Sequence, residues 1–379
     1  MQNPIPPYEQ MTPSAKKVRD FYAIKPSAPI YQKEFGFYVL DRWMEEGHIT
    51  SKDGEYLRKL FELDESGVDG VGGLGWCEAG FFPDFEVKIL EDRGEHELVQ
   101  DHAGRGVLYF KGRRNGFMPE YVTHPVTDFA SWERDVKWRL DPHTPGRLDN
   151  TAKGIAWIVQ NSGTGCAAVQ RVIGGYMYLR SLIGPEALPY MFYDDPGLIH
   201  DCMKTWFALA DHIIAHHQKT VAFDELFFGE DICYKNGPLI SPAMMREFLL
   251  PYYQQLYQNM KSRNQGRTLH FHIDTDGFCD GVIDLYREIG CDTMSPFEVV
   301  CGSDVVRTGE QYPDLRISGG IDKRMIALGG DDIKRHLEYI MPAMRKRGGY
   351  IPTCDHGVPE ETSFENYLLY RELMKGYCG

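Results

Sequence analysis

Residues 223–273 hold the order that decides the fold: FDELFFG at 223–229, SPAMMREFLLPYYQQLYQNM at 241–260, and TLHFHI at 268–273. The outer runs are short, apolar and rich in β-favouring residues, as strands are. The middle run opens on Ser241-Pro242, a capping hydroxyl followed by proline at the first helical position. Strand, helix, strand is a parallel βα unit. Working outward, 155–160 (IAWIVQ), 291–296 (CDTMSP), 315–320 (LRISGG) and 349–353 (GYIPT) are further strand candidates. Asp331 or Asp332 is expected to cap the helix IKRHLEYIMPAMRKR, and Ser363 the helix FENYLLYRELMKGY. From about residue 68 onward the count approaches eight, which predicts an α/β chain folded as a (β/α)8 TIM-type barrel. The run from Gly70 to Gly75 contains G-x-G spacing, but Trp76 and Cys77 follow instead of a helix, so no dinucleotide loop is expected there.

Before the βα pattern begins, FEVKILEDRG, EHELVQDHAG and RGVLYFKG read as β-prone runs joined by glycine turns. This segment, at about 84–112, is too short for a core of its own. It is therefore an N-terminal β-hairpin excursion from one barrel domain covering residues 1–379.

The net charge of -14 argues against nucleic-acid binding, which needs clustered Lys and Arg. No window offers about 18 uninterrupted apolar residues, and the first residues, MQNPIPPYEQMTPS, lack the charged and apolar regions of an export signal. A cytoplasmic location without membrane contact is expected. Nine widely spaced cysteines with no CxxC pair suit reduced thiols in such a compartment.

Barrel chemistry sits where strands end. In LHFHIDTDG, 269–277, His270, His272, Asp274 and Asp276 recur at period two and so share one side of a strand. Burying such a row is costly unless its members pair or hold a ligand. After 223–229 come Glu230 and Asp231, then Tyr234 and Lys235; adjacent acids point to opposite sides, so only one of the two faces the mouth. After 349–353 stand Cys354, Asp355 and His356, a thiol, a carboxylate and an imidazole suited to a divalent metal or to acid–base work. Trp76, Phe81, Phe82, Phe85, Tyr176, Tyr178 and Tyr234 could line a site for a flat substrate, although aromatics more often fill cores.

Taken together, GEDICYKNGPLISPAMMREFLLPYY, HIDTDG, DTMSPFEV, LRISGGIDK and GGYIPTCDHGVPEETSFENY resemble the uroporphyrinogen decarboxylase superfamily, over about residues 80–375. That superfamily includes decarboxylases and corrinoid-linked methyltransferases. The resemblance implies a barrel with its cleft at the strand C-termini. Decarboxylases of the family carry an arginine-rich segment for the substrate carboxylates, whereas residues 73–85 here read GLGWCEAGFFPDF, without arginine. The methyltransferase branch binds zinc through a strand-borne His-x-Cys and a later Cys. This sequence offers His272, Asp274 and Cys354 at those places, with a carboxylate for the first thiol.

The leading expectation is therefore metal-assisted transfer of a methyl group from a small, O-methylated aromatic substrate to a corrinoid carried by a partner protein, since no D-x-H-x-x-G corrinoid motif occurs here. Zinc would sit on His272, Asp274 and Cys354; Asp276, Glu230 and His356 would act as acids or orienters; Trp76, Tyr234, Lys235 and Arg307 would bind substrate. The alternative is decarboxylation or lyase chemistry on a small acid, with Arg171 or Arg307 holding its carboxylate and Asp274 or Asp276 facing the ring. A non-catalytic binding barrel is a third reading, disfavoured by so many titratable groups at strand ends. The sequence leaves a homodimer open.

Overall fold

The computed structural model describes residues 1–112 and 119–379. Seven strands form one sheet: β1 (Val68–Val71), β2 (Ala167–Ile173), β3 (Glu225–Gly229), β4 (His270–Asp274), β5 (Thr293–Ser295), β6 (Arg316–Ser318) and β7 (Tyr350–Ile351). Their order in space is their order in the chain, and every adjacent pair is parallel. This is the wall of a TIM-type barrel, as predicted. Helices between and after the strands pack their apolar faces on the sheet in one continuous core.

Between β7 and β1 the wall is completed by an irregular segment. Tyr31 donates from its hydroxyl to the Glu65 carbonyl and accepts from the Gly67 backbone N–H, both at 3.1 Å, just before β1. A few residues on, Gly36–Phe37 pairs in parallel with Gly357–Val358, just after β7. Residues 33–35 thus run along the seam of the barrel.

The N-terminal helix Pro13–Tyr22 closes the end where the strands begin. Thr12 caps it, accepting from the Ala15 N–H, with Pro13 at the first position. Tyr22 stacks on His270 at 4.4 Å between ring centres and donates to Glu225 at 2.9 Å, while Arg19 pairs with Asp224. Val18, Phe21, Tyr22 and Tyr31 pack against Ala167 of β2 and Ile351 of β7.

The excursion is a four-stranded antiparallel sheet, Lys88–Arg93, His96–Gln100, Gly106–Phe110 and Glu120–Thr123, which extends past residue 112. Ala103, with Phe85 packed beside it, joins the main core.

Residues 155–160 are not a strand but the end of the helix Asp149–Gln160. A six-residue apolar run cannot by itself distinguish a strand from a buried helix face; here Gly154 lets the helix lie close on β1, where a Cβ would come within 3.0 Å of Val71. The next strand, β2, starts later. Ser241 and Ser363 cap as expected, accepting from the N–H groups of Met244 and Asn366. Asp331 and Asp332 do not cap; they occupy the first turn of Gly330–Arg347, where their charge favours the helix dipole. Pro251, which has no N–H to give, follows a π turn at Met245–Leu249. Among the described residues no helix is long and apolar enough to cross a membrane, and all nine cysteines are free thiols.

Candidate active site

Alternation along β4 turns His270, His272 and Asp274 into the lumen, while Phe271 and Ile273 enter the core. These polar groups are satisfied by one another across neighbouring strands. His272 sets Nδ1 3.2 Å from Glu225 Oε1 on β3 and Nε2 2.8 Å from Ser295 Oγ on β5. Ser295 Oγ in turn meets Asp274 Oδ2. Glu225 is held below the usual carboxylate range: burial opposes this, but His272, Tyr22 and Lys33 outweigh it. Asp274 is raised to about 6, chiefly by burial. The chain Glu225–His272–Ser295–Asp274 therefore has an ionised carboxylate at one end and a carboxyl that exchanges its proton near neutral pH at the other. With Asp274 protonated, its O–H can donate to Ser295, whose own O–H then donates to His272 Nε2; with Asp274 ionised, Ser295 donates to it instead.

Above this layer, Asp276 pairs with His356, Oδ2 to Nε2 at 3.2 Å, and His356 Nδ1 lies 2.8 Å from the Tyr38 hydroxyl. Phe35 stacks on the imidazole at 5.0 Å. Burial alone would lower the His356 pKa, but the bond and charge of Asp276 prevail and raise it. Asp231 completes the group: Arg180 pairs with it at 3.2 Å, and burial together with Asp276 raises its pKa. Its φ of +44° is strained for a residue with a side chain.

Of the two adjacent acids it is thus Asp231, not Glu230, that joins the mouth. Glu230 turns outward into the core, fully buried, where Tyr253 and Tyr286 donate to Oε1 at 2.7 and 3.1 Å. Burial lifts it to about 8. Its expected role as an acid or orienter at the site is corrected accordingly.

A second layer supplies a flat surface and positive charge. Arg171, Phe227 and His272 share one register across β2, β3 and β4. Trp76 stacks parallel to Phe227 at 5.7 Å, and Phe227 meets the His272 ring edge-on at 4.7 Å. Trp76 and Arg171 line a cleft of about 460 Å³ that opens along the loop from Gly72 to Asp84. Tyr234 and Lys235 are exposed, with the ammonium 5.9 Å from the ring centre. Arg307 does not reach this surface, because it is taken up by Asp280 at 3.1 Å and by the Gly302 carbonyl. Phe81, Tyr176 and Tyr178 are buried core residues.

The residues do not fit the expected metal site. Both nitrogens of His272 are engaged as above, and Cys354 is fully buried in the core. The Cys354 thiol is pushed well above its ordinary value by burial and by Glu34, which also accepts from the Cys354 N–H. Among the described residues no three His, Cys, Asp or Glu side chains converge closely enough to hold a metal. The expectation of His272, Asp274 and Cys354 as a ligand set is therefore corrected: the first two are neighbours in a proton chain, and the third lies elsewhere.

Comparison with known families matches residues 113–377 to uroporphyrinogen decarboxylase (URO-D). The chain belongs to the URO-D family. Curated relatives include uroporphyrinogen decarboxylases from Hydrogenobaculum, 21% identical over 137 residues, and from Hydrogenovibrio crunogenus, 23% identical over 177 residues. These alignments cover 36% and 46% of this chain and 38% and 48% of the relatives, so the chain spans under half the length of either. A methyltransferase from Methanosarcina mazei has the same fold over 97% of this chain and 99% of its own, with a TM-score of 0.58 and 12% identity. The curated relatives of this family are enzymes, described as uroporphyrinogen decarboxylases.

Within this URO-D chain the sequence reading missed Lys33, Tyr38, Arg171 as part of the aromatic layer, Asp231, Phe227 and Ser295. A signal existed for Arg171, since an arginine inside the apolar run AAVQRVI is costly to bury without purpose. None existed for Lys33, whose place beside the barrel depends on the course of the irregular seam.

Proposed function

We propose that this URO-D family member is a methyltransferase that takes the methyl group of a small methoxylated aromatic substrate and passes it to a reduced corrinoid on a partner protein. The observation that carries the reading is the hydrogen-bonded chain ending at Asp274, a proton source poised at about 6 beside the aromatic shelf of Trp76 and Phe227. Aryl ethers cleave slowly because the departing oxygen is a poor leaving group. Protonation of that oxygen as the bond breaks turns the product into a neutral phenol. The methyl–oxygen bond breaks, its electron pair stays on oxygen, and Asp274 gives up its proton, which solvent water restores after the product has left. The external corrinoid supplies the electron pair of the new bond to methyl. Zinc is no part of this scheme, because the residues that were to hold it do not converge.

A rim of exposed apolar side chains supports the need for a partner: Phe35 at the seam, Trp76 after β1, Tyr234 and Leu239 after β3, and Val300 after β5. Such patches mark protein contacts. Free thiols throughout suit the reducing cytoplasm in which a reduced corrinoid persists.

Loss of carbon dioxide from an aromatic acid, with Asp274 protonating the ring carbon, is the second reading, and it draws on the same proton source. Incubation with chemically reduced free cobalamin and 3-methoxybenzoate separates them. We expect 3-hydroxybenzoate as product, and a fall of roughly 100-fold or more in its rate for Asp274→Asn. Release of carbon dioxide with the methoxy group intact would establish the decarboxylase instead.

A further inference from the structure

The cleft of about 460 Å³ beside the loop from Gly72 to Asp84 has Trp76, Arg147, Asn150 and Arg171 in its walls. Its size suits a small organic ligand. Two of these residues are cations, and among the described residues neither stands within ion-pair distance of a carboxylate. Arg147 is 4% exposed and donates only to backbone carbonyls: from Nε to Asp141 at 3.0 Å, from Nη1 to Gly80 at 2.8 Å, and from Nη2 to Phe82 at 3.4 Å and to Arg139. Carbonyl dipoles engage its N–H groups without cancelling its charge. Arg171 is exposed in the middle of β2, although the residues on both sides of it are buried. Its guanidinium packs over Gly70 of β1, where a Cβ would lie 3.1 Å from Nε and 3.3 Å from Cζ, so glycine leaves the room the arginine needs. The cleft also has acids. Glu78 is answered by His102 at 3.1 Å and Arg105 at 3.6 Å, and Asp84 is exposed to solvent. With Glu78 matched by its own cations, two arginines are left facing one solvated acid. Trp76 adds a flat wall: it stacks on Phe227 and remains 47% exposed.

We propose that this cleft binds a planar organic acid, whose carboxylate pairs with Arg171 and whose ring lies against Trp76. The guanidinium fork matches a carboxylate through two parallel bonds. Arg147 works differently. Its N–H groups are already engaged, so it favours the anion through its field, and its bonds to the Gly80 and Phe82 carbonyls hold the loop that walls the cleft. Asn150 adds an amide that can donate to a polar substituent. Arg171 stands in register with Phe227 and His272 around the barrel wall, so an acid held there lies where the cleft meets the lumen. That this acid is the methoxylated substrate rests on the methyl-transfer reading; the preference of the cleft for acids does not.

The test measures binding alone, by calorimetry, without corrinoid or turnover. The probes are 3-methoxybenzoate, its neutral methyl ester and inorganic phosphate. The wild-type chain is expected to favour the acid over the ester by about tenfold or more, the size of a charged hydrogen bond. Phosphate, which has no ring to set against Trp76, should bind more weakly than the acid. Arg171→Met should erase most of the preference for the acid while melting as the wild type does, and Trp76→Ala should weaken acid and ester alike. Arg171→Glu should instead favour 3-methoxybenzylamine over 3-methoxybenzoate, which guards against loss through misfolding. A wild-type chain that binds neither acid nor ester, or both equally, overturns the proposal, as does a preference that survives Arg171→Met. Phosphate bound as tightly as the acid would reduce the cleft to a plain oxyanion site and overturn it too. Binding as expected with no demethylation would leave the acid site standing and remove the methyl-transfer reading; demethylation without a preference for the acid would do the reverse.

Discussion

His356 shows how one hydrogen bond sets a residue's chemistry. Burial works against its charge, and Asp276, 3.2 Å from Nε2, restores it. Asp276→Asn should therefore lower the His356 pKa, since the amide keeps the contact but not the charge. The imidazole resonances, followed by NMR against pH, would then move with a midpoint at lower pH; an unchanged midpoint would show that Asp276 does not govern His356. Turnover should fall more than stability, because the neighbouring Asp231 is relieved of a like charge that helps to raise its own pKa. Much at this scale could be read from the sequence. Period two along LHFHIDTDG was enough to place His272 and Asp274 on the lumen side. The metal expectation failed because strand period says which way a side chain points, not which atom it meets: Ser295, from a strand that reads only as CDTMSP, fills the position between them.

At the scale of elements, Glu230 joins the end of β3 to three helices. Tyr253 lies on Leu250–Arg263, Tyr286 on Ile283–Glu288, and the Tyr176 N–H in the first turn of Gly175–Ile183. A carboxyl raised to about 8 by burial has a linkage of definite sign. Below about pH 4.5 it is protonated in folded and unfolded chains alike, and its full stabilisation is present. As pH climbs from there to about 8, the unfolded chain releases the proton and the folded chain keeps it. Stability then declines by roughly 1.4 kcal/mol per pH unit from this group. Glu230→Gln keeps an oxygen to accept from both tyrosines and has no proton to lose. Its melting temperature should fall less steeply than that of the wild type between about pH 5 and 8, by the same linkage. Parallel curves would mean that Glu230 is ionised in the folded chain. The neighbouring acids could be recognised in sequence as a pair that must part, but which of them turns inward depends on the strained backbone at Asp231 and the helices that meet Glu230.

For the molecule as a whole, alternation of strand and helix was a sound guide from residue 223 onward, where helices were marked by capping serines and strands by short apolar runs. It was less sound before. The run at 155–160 has strand composition but packs as a helix on β1, and the seam at 31–38 has no periodicity at all. The excursion was seen as a hairpin; its fourth strand, Glu120–Thr123, lies beyond the glycine turns that drew attention to it.

The helix Pro13–Tyr22 has one last consequence. With Tyr22 over His270 and Arg19 locked to Asp224, the lower end of the lumen is shut, and whatever enters must leave by the same doorway. A partner seated on the apolar rim would stand in that doorway. On the methyl-transfer reading proposed above, traffic would be compelled into a queue: the substrate would go in first, the partner would follow, and the demethylated product would depart only after the partner had withdrawn. Initial-rate kinetics with both substrates varied should show compulsory order, and excess partner should inhibit by occupying the threshold of an empty barrel. Random order would indicate a second exit.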